Sequence, residues 1–95
     1  MKVLIIEDDT QLNTAISEFC RIKAWDVVSN KDGLDAIYTI DSEDFDLYII
    51  DINIPRINGL DLLKHIRKTD LDTPVIIITA SLEIQNFASA FENGC

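Results

Sequence analysis

Three apolar runs in this 95-residue chain end in oxygen-bearing side chains. Val3-Leu4-Ile5-Ile6 runs into Glu7-Asp8-Asp9, Leu47-Tyr48-Ile49-Ile50 into Asp51, and Val75-Ile76-Ile77-Ile78 into Thr79. Carboxylates brought together from separate runs repel one another unless a cation offsets them, and hard oxygen ligands suit Mg²⁺. That ion keeps several waters and takes one or two carboxylates. Asp8 and Asp51, with a backbone carbonyl from Asn53, would therefore leave a face open for a phosphoryl group. A carboxylate can itself accept that group as an acyl phosphate, and a hydroxyl such as Thr79 can hydrogen-bond a phosphoryl oxygen. Asp9 reads differently, because it directly precedes a helical pattern and suits a helix cap better than a ligand. Asp51 follows a buried run and precedes a loop, which favours chemistry over capping.

For these groups to meet, the runs must lie side by side as strands. Each run is continuously apolar and rich in β-branched residues, the pattern of strands buried on both faces of a parallel sheet. Between them, Leu12, Ala15, Ile16, Phe19 and Cys20 predict an amphipathic helix near residues 11–23, with Asp9 or Thr10 as N-cap. A shorter strand over 25–29 follows, with Trp25 packing at its start. Lys31-Asp32-Gly33 is a turn, and Leu34, Ala36, Ile37 and Ile40 predict a second helix running into the acidic connection Asp41, Glu43, Asp44. Leu60, Leu63 and Ile66 start a third helix, broken at Asp72-Thr73-Pro74. A fourth can be drawn through Ile84, Phe87, Ala88 and Phe91 up to Asn93-Gly94. Strands alternating with helices predict an α/β fold with right-handed crossovers, whose ligands bind beyond the carboxyl ends of the strands.

Composition narrows the function classes. Hydrophobic residues make up 47% and charged residues 26%, as in ordinary globular proteins, and the length fits one domain. Eight Lys and Arg against 17 Asp and Glu give a net charge of −9, which argues against direct contact with nucleic acid or an anionic membrane and makes cations the natural partners. No apolar run approaches the ~18 residues of a membrane helix, and no signal peptide precedes the first run. Cys20 reads as a small core residue, and two cysteines without a C-x-x-C pair suit a reducing compartment. A cytoplasmic location is expected. His65 sits beside the apolar positions Leu62, Leu63 and Ile66 and is expected to face solvent.

In their order along the chain, these motifs resemble the receiver domain of two-component response regulators. Ile5-Ile6-Glu7-Asp8-Asp9 resembles the acidic motif after the first strand. Asp51 matches the phosphoacceptor, and Pro55-x-x-Asn58-Gly59 resembles the Pro-x-x-Asp-Gly loop behind it. Asp32-Gly33-Leu34-Asp35-Ala36 resembles the second turn and helix start, and Pro74-Val75-Ile76-Ile77-Ile78-Thr79-Ala80 the fourth strand with its switch hydroxyl at Thr79. The resemblance implies a flavodoxin-like (CheY-like), doubly wound parallel sheet with strand order 2-1-3-4. Mg²⁺ would be held by Glu7, Asp8, Asp51 and the Asn53 carbonyl. A phosphoryl group would pass to Asp51 from a sensor histidine kinase or phosphotransfer protein, and a conformational switch would control an output such as transcription. Phosphorylation and dephosphorylation would be catalysed by the domain itself, which is not classed as an enzyme.

Asn58 stands where the family's loop usually has Asp, a near-isosteric change that still forms a turn. The sequence reaches Gly94-Cys95 where the family continues into a fifth strand and fifth helix, so residues 1–95 are expected to be a truncated receiver domain lacking both, and with them the family's Lys. Lys64 and Lys68 read as surface charges. Met1 directly before the first strand suggests that the domain begins its gene product. Val75–Ile78 would then be an exposed edge, and the surface around Leu4, Ile6 and the first helix would be bared. A homodimer or a segment-swapped pair is expected to cover them. Two other readings compete: a phosphorylation-independent pseudo-receiver that acts as an interaction module, and a metal-dependent phosphatase. The phosphatase would want an acid two residues after its nucleophile, where this chain has Asn53.

Overall fold

A computed structural model describes residues 1–78. The elements alternate: β1 (Lys2–Ile6), α1 (Thr10–Ile22), β2 (Asp26–Asn30), α2 (Gly33–Ser42), β3 (Leu47–Asp51), α3 (Gly59–Arg67) and β4 (Val75–Ile78). All strand pairs are parallel, and the order across the sheet is β2-β1-β3-β4, as the alternation and the resemblance imply. Thr79 and the helix expected through Ile84, Phe87 and Phe91 lie outside the described residues, as do the elements that would follow them. No helix among the described residues is long and apolar enough to cross a membrane.

Strand alternation assigns the β1 side chains to two different cores. Leu4 and Ile6 point to the face covered by α2 and α3, where they join Ala36, Phe45, Tyr48, Ile50, Ile54, Leu62, Leu63, Ile66 and Val75. Val3 and Ile5 point to the α1 face, where Ile49 and Cys20 complete a much smaller buried set, with Ile16 and Trp25 packed against it. The expectation that Leu4 and Ile6 would border the first helix and be bared is therefore wrong on both counts. They lie on the opposite face and are fully buried.

The helix α1 is also rotated from the expected stripe. Its buried residues are Asn13, Ser17 and Cys20, while Leu12 and Phe19 are exposed. A polar Asn and Ser take the inward positions because hydrogen-bond partners await them there, and hydrophobicity alone could not indicate that. Asp9 caps α1, its side chain accepting from the Leu12 N–H at 3.0 Å, and Asp32 caps α2 in the same way through the Asp35 N–H at 3.0 Å. His65 is not simply solvent-facing: its Nε2 lies 2.7 Å from Asp41 Oδ1, tying the last turns of α3 and α2 together. Likewise Glu43, expected to be only solvated, holds Lys2.

Candidate metal centre

The register of β1 and β3 pairs Ile6 with Ile50, so the next residues, Glu7 and Asp51, leave the sheet side by side at its carboxyl edge. Asp8 follows on β1's side. One carboxylate oxygen from each of Glu7, Asp8 and Asp51 lies within 4.8 Å of the other two. Burial grades across the group: Glu7 is 2% exposed, Asp51 is half-buried and Asp8 is exposed. No ion pair reaches any of the three among the described residues.

The cost of this crowding appears on Glu7. Its carboxyl is pushed up from 4.5 to about 7 by burial first, then by its hydrogen bond to Asp51 and the Asp51 charge, with the Asp9 N–H at 3.3 Å from Oε2 opposing the shift. Burial and the neighbouring carboxylate thus favour the neutral form of this group. Three clustered hard oxygen donors, without a basic partner among the described residues, fit a cation such as Mg²⁺.

Two devices fix Asp51. Its Oδ1 accepts the Asn53 N–H at 3.0 Å, an Asx turn that sets the carboxylate against its own loop. Behind it, α3 presses directly on the strand end: a Cβ on Gly59 would sit 2.2 Å from the Asp51 carbonyl oxygen and 2.8 Å from Ile52 Cα. Only glycine permits that approach, and the Gly59 N–H uses it to reach the Ile52 carbonyl at 2.9 Å. Asn58 caps α3, its side chain accepting from the Leu60 N–H at 2.7 Å.

The loop between these points is held from both ends. Ile52 and Ile54 are buried, and the Ile52 N–H donates to the Ile78 carbonyl at 3.1 Å. The Pro55 carbonyl accepts from Ile57 at 2.9 Å across Arg56, whose φ of 71° makes a strained γ-turn, and from the Gly33 N–H at 3.0 Å. The start of α2 is thereby pinned to the loop behind Asp51.

The structure thus brings together Glu7, Asp8 and Asp51 and places Asn53 two residues beyond Asp51. Asp9 is occupied as a helix cap, as its position before α1 suggests. Thr79 lies outside the described residues. The sequence reading missed Asn13, whose Nδ2 donates to the Glu7 carbonyl at 2.9 Å. Asn13 and Ser17 stand one helical turn apart, but nothing in that spacing shows that they face the sheet, because their partners lie on β1 and β2.

Comparison with known proteins identifies the family and agrees with the fold. Residues 3–95 match the family described as the response regulator receiver domain. The chain is 34% identical to the transcriptional regulatory protein CiaR of Streptococcus pneumoniae over 94 residues, covering 99% of this chain and 42% of that protein. It is 35% identical to the transcriptional regulatory protein CpxR of Escherichia coli strain K12 over 79 residues, covering 83% of this chain and 33% of that protein. The chain therefore spans less than half the length of these relatives. Among solved structures, the non-phosphorylated HemR receiver domain from Leptospira biflexa superposes with a TM-score of 0.92 at 30% identity, over 99% of this chain and 76% of that one.

Proposed function

From the premise that this chain belongs to the response regulator receiver domain family, the receivers of two-component systems, we propose that it accepts a phosphoryl group on Asp51 in a Mg²⁺-dependent reaction. The observation that carries this reading is the meeting of Glu7, Asp8 and Asp51 within 4.8 Å at the carboxyl edge of the sheet. Glu7, Asp8, Asp51 and the Asn53 carbonyl would hold the ion. When bound, Mg²⁺ offsets charge on the carboxylates and on the oxygens of the incoming phosphoryl group.

The chain's own residues do the rest. A carboxylate oxygen of Asp51 attacks phosphorus, the bond from phosphorus to the donor's imidazole nitrogen breaks, and the nitrogen keeps that electron pair, leaving an acyl phosphate on Asp51. The Asn53 N–H on Oδ1 and the close packing of Gly59 fix the direction from which that oxygen is presented. Thr79, the residue after Ile78 in the sequence, would supply the hydroxyl that hydrogen-bonds the phosphoryl group. The phosphoryl donor is a sensor histidine kinase or a phosphotransfer protein, and the domain itself catalyses both the gain and the loss of the group. The transcriptional names of the relatives support an output in transcription for the protein as a whole.

Mass spectrometry after incubation with a small acyl phosphate tests the reading. One phosphoryl group on Asp51 with Mg²⁺, and none without it, is expected. Absence of labelling under both conditions would favour a phosphorylation-independent interaction module, and sustained hydrolysis of the donor would favour a phosphatase.

A further inference from the structure

We propose that Asn13 is a positioning residue for the cation site, aiming Glu7 and Asp8 through the peptide that joins them; this rests on the receiver chemistry proposed above. Asn13 is 5% exposed and lies on the sheet-facing side of α1, where an amide is unfavourable unless its atoms are partnered. All of them are. Nδ2 donates to the Glu7 carbonyl at 2.9 Å and, at the longer distance of 3.5 Å, to the Asn30 carbonyl. Oδ1 accepts from the Ser29 hydroxyl at 2.6 Å and the Ser17 hydroxyl at 3.3 Å. The amide has one workable orientation, since flipping it would set Oδ1 against two carbonyl oxygens.

What distinguishes this network from ordinary packing is the atom it holds. The last ladder pair between β1 and β2 is Ile6 with Asn30, and past that point the Glu7 N–H still reaches the Asn30 carbonyl at 3.1 Å. The Glu7 carbonyl receives the Asn13 amide instead of a strand neighbour. Glu7 is gripped on both sides of its backbone, and the gripped carbonyl belongs to the Glu7–Asp8 peptide. Rotation of that peptide would turn the Asp8 carboxylate away from Glu7 and Asp51. The Asn13 N–H also closes the first helical bond, to Asp9 at 2.9 Å, so one residue couples the start of α1 to the acidic run.

The test uses Mg²⁺ itself as probe, measured by calorimetry near neutral pH alongside the urea midpoint of unfolding. Asn13→Ala should weaken Mg²⁺ binding about tenfold, the scale found when an outer partner of a metal ligand is removed. Ser29→Ala removes a donor to the amide but no bond to Glu7. It should lower the urea midpoint while leaving Mg²⁺ affinity within about twofold. If Asn13→Ala does not fold, Asn13→Ser, too short to reach the Glu7 carbonyl, should show the same loss. A lowered midpoint with unchanged Mg²⁺ affinity in either Asn13 variant would make the residue a plain core amide and overturn the proposal. A wild-type protein that binds no Mg²⁺ would instead overturn the receiver chemistry and this inference with it.

Discussion

At the amino end of the sheet, Lys2 Nζ lies 2.6 Å from Glu43 and 5.2 Å from the Phe45 ring centroid, while the Lys2 backbone N–H donates to Asp46 at 2.7 Å. At the carboxyl end, Glu7, Asp8 and Asp51 converge with no cation of the chain among them in the described residues. Both ends gather acids, but one matches Glu43 and Asp46 to donors on Lys2 and the other stacks like charges. The first arrangement lowers the energy of the fold. The second raises it, and such a penalty is sustained where an external cation and a reactive carboxylate are needed. On the proposed chemistry, what sets the three carboxyl-edge acids apart from Glu43 is the lack of a cationic side chain beside them among the described residues.

The sharpest way to break the comparison is Asp51→Asn. It removes the nucleophile, keeps the shape and relieves repulsion, so labelling by an acyl phosphate should vanish while the fold persists; label found elsewhere would move the acceptor. Gly59→Ala comes next. Although Ala is ordinarily favoured over Gly in helices, its methyl would collide with the Asp51 backbone. A loss of about 3 kcal/mol in urea unfolding, with impaired labelling, is expected. A stabilised variant would mean that α3 can shift without disturbing Asp51.

An effect of similar size separates the two ends by pH. The Glu7 carboxyl is raised in the folded protein, from 4.5 to about 7, so folding takes up a proton between those values. Without metal, its stabilising contribution is complete below pH 4.5 and is lost as pH rises through about 7. The full span is on the order of 3 kcal/mol. Asp32 and Asp70 act oppositely: the Asp35 N–H on the first and the Thr73 hydroxyl on the second depress their carboxyls, so their contribution stands above 3.8 and fades as pH falls below it. Urea midpoints across this range should fall from pH 4.5 to 7, and Glu7→Gln should flatten that limb alone. The smallest effect belongs to the paired end. Lys2→Met exposes no buried charge, because the Lys2–Glu43 pair is more than a third exposed on both sides. It should cost less than about 1 kcal/mol and leave Mg²⁺ affinity unchanged.

Much of this was legible in the residues. The buried runs ending in Glu7-Asp8 and Asp51 announced both the parallel sheet and the acidic cluster at its carboxyl edge, because strand burial and the residues at strand ends are local properties of sequence. Asp9 as a cap was likewise readable from its place before a helical pattern. The orientation of α1 was not. Leu12 and Phe19 satisfied the apolar spacing, yet Asn13 and Ser17 face the sheet, since partners on β1 and β2 are set by tertiary packing rather than by periodicity. The faces of Leu4 and Ile6 were missed for a related reason: alternation shows that neighbours oppose one another but not which helix each one meets. The bond between His65 and Asp41 depends on how α2 meets α3, which no spacing within either helix encodes.

The central claim is that the carboxyl-edge acids form a strained site relieved by a cation, and melting temperature with and without Mg²⁺ in wild type and Asp8→Asn tests it most directly. Near neutral pH, Mg²⁺ should raise the Tm of the wild type. Asp8→Asn should melt higher than wild type in the absence of metal, and Mg²⁺ should no longer shift it. A wild-type Tm indifferent to Mg²⁺, together with a metal-free Asp8→Asn that melts lower than wild type, would show that these acids support the fold like those around Lys2, and would contradict the account.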